Sequence, residues 1–214
     1  MPTDSISSKL TALFDAERTV RTTHAALLRE NQAGLVEALT ASVNEAMGLD
    51  DRGESSLRLV RAAELLSDIE GAQAVDLLIA ILGNGEPEAR HAAGEALEGV
   101  AFDRFKEVAL GVERALTNLE SGNAALTELP YMLAQIPEPG VIKLLGRFLK
   151  HQDPEAVAAA IEALVECGDP ATVSLLAPLE KDSRSVQIEE DDEARVTLGE
   201  LAKEAKDFLE KLST

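Results

Sequence analysis

The feature that most constrains this chain is an internal repeat. The stretch that opens at Glu86, EPEARHAAGEAL, returns at Asp153 as DPEAVAAAIEAL, with Pro, Glu, Ala, an Ala-Ala pair, Glu, Ala and Leu in register. The offset of 67 residues is about two units of 33 or 34. A degenerate middle unit opens near Ser121 and places Glu128 between Glu95 and Glu162; an earlier one is marked by Arg61-Ala62-Ala63-Glu64-Leu65-Leu66. A fixed period of this size is the signature of stacked supersecondary units, none of which can bury its apolar face alone.

Each unit reads as two helices, because apolar residues recur at three and four positions and the breaks carry helix-start and helix-stop residues. Asp153-Pro154 and Asp169-Pro170 pair a capping acceptor with a ring that presets φ for the first helical position. Gly168, Gly71 and Gly99 are expected at helix ends, where a left-handed residue is cheap. The spacing predicts helices over 56–69, 72–83, 87–99, 103–120, 123–136, 138–150, 154–167 and 170–180, the fifth bent by Pro130. With 33 alanines, 32 leucines, five Phe, one Tyr and no Trp, the core is thin and layered rather than deep and aromatic.

The ends lack the period. Ile6, Leu10, Leu13, Val20, Leu27 and Leu28 mark a long first helix, and Leu35, Leu39, Val43 and Met47 a second, which together read as a capping pair. After a polar stretch from Lys181 to Ile188, the run Glu189–Glu193 is expected to form the first turn of a final helix, where the helix dipole favours carboxylates. That helix carries Val196, Leu198, Leu201, Ala205, Phe208, Leu209 and Leu212 on one stripe and closes the stack. The organisation is therefore an N-terminal helical pair over 1–54, repeats over 55–180, and an acidic loop with a capping helix over 181–214.

The units at 86–99 and 153–168, and less sharply the whole of 55–180, resemble HEAT repeats, more narrowly the short bacterial type found in phycobilisome lyases. The resemblance implies an all-α solenoid of antiparallel helix pairs, a right-handed stack whose second helices line the concave face. It also implies protein binding as the commonest role.

The remaining chemistry of the chain is sparse. A net charge of −19 repels phosphate backbones and anionic lipid, so neither nucleic acid nor membrane insertion is expected. No stretch approaches the roughly 20 apolar residues of a membrane span. The N-terminus lacks the basic head and apolar run of a secretion signal, and one cysteine forms no internal disulfide, so the reading is cytoplasmic. His24, His91 and His151 lie far apart, which argues against a metal site. No nucleophile–base pair, phosphate loop or cofactor motif stands out, and Cys167 and Tyr131 have no catalytic company. The expectation is a scaffold or adaptor, not an enzyme, that binds another protein. The alternatives are a bilin lyase- or isomerase-like enzyme of this repeat type, or a homo-oligomer associating through the N-terminal helices. The candidate partner-binding residues are Lys143, Arg147 and Lys150, a cationic stripe at i, i+4 and i+7 on a second helix of an otherwise acidic chain.

Overall fold

The computed structural model of the protein describes residues 2–187 and 195–212, and these are almost wholly helical. In chain order the elements are α1 (Pro2–Leu27), α2 (Gln32–Met47), α3 (Arg52–Ser67), α4 (Ala72–Leu82), α5 (Pro87–Asn118), α6 (Ala124–Ala134), α7 (Gly140–Phe148), α8 (Pro154–Cys167) and α9 (Val173–Leu176). They are followed by β1 (Ser185–Gln187), β2 (Arg195–Thr197) and α10 (Leu198–Leu212). The fold is an α-solenoid. α3 and α4 form one layer, the two halves of α5 the next, α6 and α7 a third and α8 with α9 a fourth.

The repeat motif explains why the layers stack. Ala89, Ala93 and Leu97 on α5, and their counterparts Ala156, Ala160 and Leu164 on α8, are all fully buried. Between them α6 contributes Leu126, Leu129 and Leu133, also fully buried. Alanine on the outer layers lets the backbone come close, and leucine on the middle one fills the space. Asp153 fixes the joint. Its carboxylate caps α8 by accepting from the Glu155 N–H at 3.0 Å and reaches across to accept from the Gly122 N–H at 2.7 Å, while only 3% of the residue is exposed.

Several boundaries differ from expectation. The helices expected over 87–99 and 103–120 are one run, α5, kinked at Arg104 (φ −136°, ψ 45°). Arg104 donates to the Ser67 carbonyl at 3.0 Å and the Ile69 carbonyl at 3.1 Å, so the bend is held by the end of α3, and Gly99 lies inside the helix. Gly71 precedes α4 with φ 109° rather than ending α3, whereas Gly168 ends α8 in the left-handed region at φ 64°. α3 begins at Arg52, capped by Asp51, four residues earlier than expected. The segment expected as a helix over 170–180 breaks into a 3-10 turn, α9 and a second 3-10 turn, because Pro170 and Pro178 remove two backbone donors from a short stretch.

The ends close differently. At the C-terminus a two-stranded antiparallel ribbon, with Val186 opposite Val196, leads into α10, which packs on α8 and α9 through Leu198, Ala202, Ala205 and Leu209. The final helix was expected to begin at the acidic run; it begins at Leu198, with Val196 in the strand before it, and residues 189–193 lie outside the described residues. Thr197 and Glu200 form a reciprocal capping box that starts the helix there. Gly199 sits so close to the Glu180 carbonyl that a Cβ would stand 2.8 Å from it, so the helix enters flush against the last turn of the stack. At the N-terminus α2 covers the α3–α4 layer with Leu35, Val36, Leu39, Val43 and Ala46. α1 covers little: Ile6, Leu10, Leu13 and Phe14 are exposed, and only Leu27 packs against the core.

Two outcomes follow from these joints. Asp153→Ala should cost about 2–3 kcal/mol in urea unfolding, since it removes a helix cap and a buried charged acceptor. Asp153→Asn should lose less, because its amide oxygen still caps α8, and equal losses would show that the cap is not what matters. At the other end, the carboxylates of Glu180, Asp182 and Glu200 are held below their ordinary range by hydrogen bonds from Lys206, Arg184 and Thr197 respectively. Lowered values mean that their contribution is present above the ordinary carboxylate range and is lost as pH falls through and below about 4. Hydrogen exchange should therefore show α10 losing protection in acid before α3 to α6 do.

Candidate functional site

The second helices form one surface and the first helices another, and polar side chains join neighbouring layers on both. On the second-helix surface, Arg114 of α5 grips Asp76 of α4 through Nε and Nη2 at 2.9 and 2.7 Å, and Arg147 of α7 pairs with Glu113 of α5 at 2.8 Å. On the first-helix surface Ser56 donates to Glu88, Arg90 pairs with Glu128 at 3.3 Å, Tyr131 donates to Glu162, and Gln135 donates to Glu166 at 2.6 Å. These partners stand 31 to 38 residues apart, about one repeat.

α7 places the predicted stripe. Val141, Leu144, Leu145 and Phe148 are buried against the stack, which turns Lys143 and Arg147 outward. Lys150 is exposed too, but it lies in the turn after the helix rather than on it. The three cations are not equivalent. Arg147 is paired with Glu113, whereas Lys143 and Lys150 have no acidic partner among the described residues. On α5, one turn before Glu113, Leu110 is 47% exposed. The surface is thus two unpaired lysines flanking an ion pair.

The first-helix surface has the opposite character. An open groove of about 440 Å³ is lined by Arg90, His91, Glu95, Glu98, Glu128 and Tyr131, and a second of about 300 Å³ by Thr127, Tyr131, Glu155, Glu162 and Gln187. Tyr131 borders both grooves. Burial, and then its hydrogen bond to Glu162, push its phenol well above the ordinary value, so it stays protonated. The pairing of Tyr131 with Glu162 was not read from the sequence, yet their 31-residue separation is a near-repeat spacing that flags it.

The histidines are dispersed: His24 bonds to Asp68, His91 faces Glu95 at 3.4 Å, and His151 accepts from the Asp153 N–H. Among the described residues no three His, Cys, Asp or Glu side chains are grouped to hold a metal ion. Cys167 is half-buried, and burial, followed by the nearby Glu166 and Asp169 charges, raises its thiol pKa. Among the described residues no helix is long and apolar enough to cross a membrane.

Residues 124–190, from α6 through α8 to the start of the β-ribbon, match the family model for HEAT repeats. Over these residues the chain carries HEAT repeats. The match takes in the degenerate middle unit and the unit at Asp153, the region in which first helices α6 and α8 stack on the Ala/Leu layer and second helix α7 carries the stripe. No curated protein matches the chain. Among solved structures it is similar to the crystal structure of an engineered protein from the Northeast Structural Genomics Consortium, at 18% identity and a TM-score of 0.33, covering 91% of this chain and 97% of that one.

A raised thiol pKa has a direct consequence in these HEAT repeats. Cys167 should react with a disulfide reagent more slowly than free cysteine at neutral pH, and its rate should climb only as pH rises above the ordinary thiol range of about 8.5. A rate equal to that of free cysteine at pH 7 would show that the thiol is not shielded.

Proposed function

We propose that the chain is a non-catalytic scaffold that docks an acidic segment of another protein on its second-helix surface, with Lys143, Arg147 and Lys150 as the orienting cations. HEAT repeats commonly serve as protein-interaction scaffolds, and that role needs a rigid surface rather than reactive groups. The observation that carries the reading is the pair of unpaired lysines. In a chain with almost twice as many carboxylates as cations, Lys143 and Lys150 stand exposed without an acidic partner among the described residues. Arg147, held by Glu113, stands between them in the stripe, and Leu110, one turn before Glu113 on α5, is an exposed apolar side chain of the same second-helix surface. The non-catalytic part of the reading is supported by Tyr131 and Cys167, both kept protonated at neutral pH and so poorly suited to nucleophilic work.

Affinity capture from the source lysate tests this. A specific partner retained by the wild-type chain at low salt should weaken at moderate salt and be lost on combined Lys143→Glu, Arg147→Glu and Lys150→Glu substitution. Charge reversal at Glu95 and Glu98 on the opposite surface should leave it bound. A partner held equally by all three proteins discards the stripe, and the absence of any specific partner discards the scaffold.

A further inference from the structure

Among the described residues, α1 is the one long helix whose apolar face the body leaves uncovered. Ile6, Leu10, Leu13 and Phe14 are 60, 48, 61 and 54% exposed. These positions form a seam. Ile6, Leu13, Val20 and Leu27 recur at every seventh residue, and Leu10, Glu17 and His24 stand between them at alternating steps of four and three. Among the described residues only the last turn is engaged by the body, through the His24–Asp68 hydrogen bond and the packing of Leu27.

We infer that α1 pairs with α1 of a second copy of this chain as an antiparallel two-helix coiled coil, its two-fold axis near Phe14. The shape of the apolar surface favours this occupant. A narrow heptad stripe about 39 Å long matches another helix of the same kind, not a flat or concave surface.

Charge sets both partner and direction. Residues 1–28 hold three cations (Lys9, Arg18, Arg21) and three carboxylates (Asp4, Asp15, Glu17), so the net −19 belongs entirely to the rest of the chain. α1 is therefore where two copies can touch without bringing like charge together, as long as the bodies stay apart. An antiparallel pair attaches them to opposite ends of a rod several times the Debye length of about 8 Å. A parallel pair sets both bodies side by side and stacks Glu17 on Glu17. In the antiparallel pair Glu17 instead lies beside the leucines of the second copy, its carboxylate already held by Arg21 at 3.1 Å. The bodies' charge likewise repels α1 from an anionic bilayer. The two-fold pairing also closes at two copies, whereas docking of α1 into the apolar groove that Ile161 and Val165 of α8 form with Leu201 and Phe208 of α10 would propagate without limit.

The inference is independent of the proposed docking surface on α7. Sedimentation equilibrium of the full chain across the micromolar range should give the mass of a dimer. Leu10→Asp with Leu13→Asp should give a monomer whose thermal unfolding is unchanged, because both side chains are exposed in the single chain. For direction, a nitroxide on Ser5→Cys in a Cys167→Ser background should report a separation of about 30 Å, against less than about 20 Å in a parallel pair. A monomeric wild type, a double variant that stays dimeric, or a mass that grows with concentration and is capped by Phe208→Asp would overturn the pairing. The short distance would overturn its direction.

Discussion

Helices built from alanine and leucine bury little surface singly, so each layer of this solenoid depends on close approach to the next. Ala89 and Ala93 on α5 and Ala156 and Ala160 on α8 are small enough to admit α6 between them, and Leu126, Leu129 and Leu133 then meet both neighbours at full burial. Among the described residues a single aromatic side chain, Phe148, is fully buried. With so little volume per side chain, stability comes from the number of contacting layers rather than from any one of them. Such a stack must end in helices that present one apolar and one polar face, and α2 and α10 have that form.

The polar groups follow the same logic. Where layers meet, each turn leaves backbone carbonyls and N–H groups without helical partners, and charged side chains from the next layer satisfy them. Arg104 takes the carbonyls that end α3, Glu107 accepts the Gly71 N–H, Asp153 accepts the Gly122 N–H, and Arg184 takes the His151 and Gln152 carbonyls. These bonds orient one layer on the next, which apolar packing alone fixes weakly. The surface ladders from Asp76 to Arg114 and from Glu113 to Arg147 add little energy, being exposed, but they hold the second-helix side chains in place.

How much of this was legible in the sequence divides along a physical line. Positions repeated because they do the same packing, such as Ala93 and Ala160 or Leu97 and Leu164, announce themselves and carry the fold. The caps at Asp153 and Gly168 are local and were legible for that reason. The kink at Arg104 was not, because its cause lies 35 and 37 residues away in the carbonyls of Ile69 and Ser67. The late start of α10 escaped for a similar reason. The helical stripe runs through Val196, but Thr197 and Glu200 set the cap and β1 claims the residues before it. At the candidate site the outward direction of Lys143 and Arg147 was readable from the apolar side of α7, while the pairing of Arg147 with Glu113 and the position of Lys150 beyond the helix end depend on how the layers meet. For α1 the periodicity shows an apolar face and says nothing of what lies against it.

Charge gives the two proposed associations opposite physical characters. Docking on Lys143 and Lys150 brings unlike charges together on a surface that is otherwise acidic, so salt weakens it by screening the attraction. Pairing of α1 brings together helices of no net charge along a largely apolar seam while two strongly acidic bodies resist, so salt screens the resistance and leaves the apolar gain intact. The separation of neutral helix from acidic stack is what makes both compatible in one chain. A body of −19 that also carried the self-association seam would oppose its own pairing at contact distance. Placed on a helix whose free length exceeds the screening length several times over, the seam lies beyond most of that repulsion, and the second-helix surface is left open for another protein.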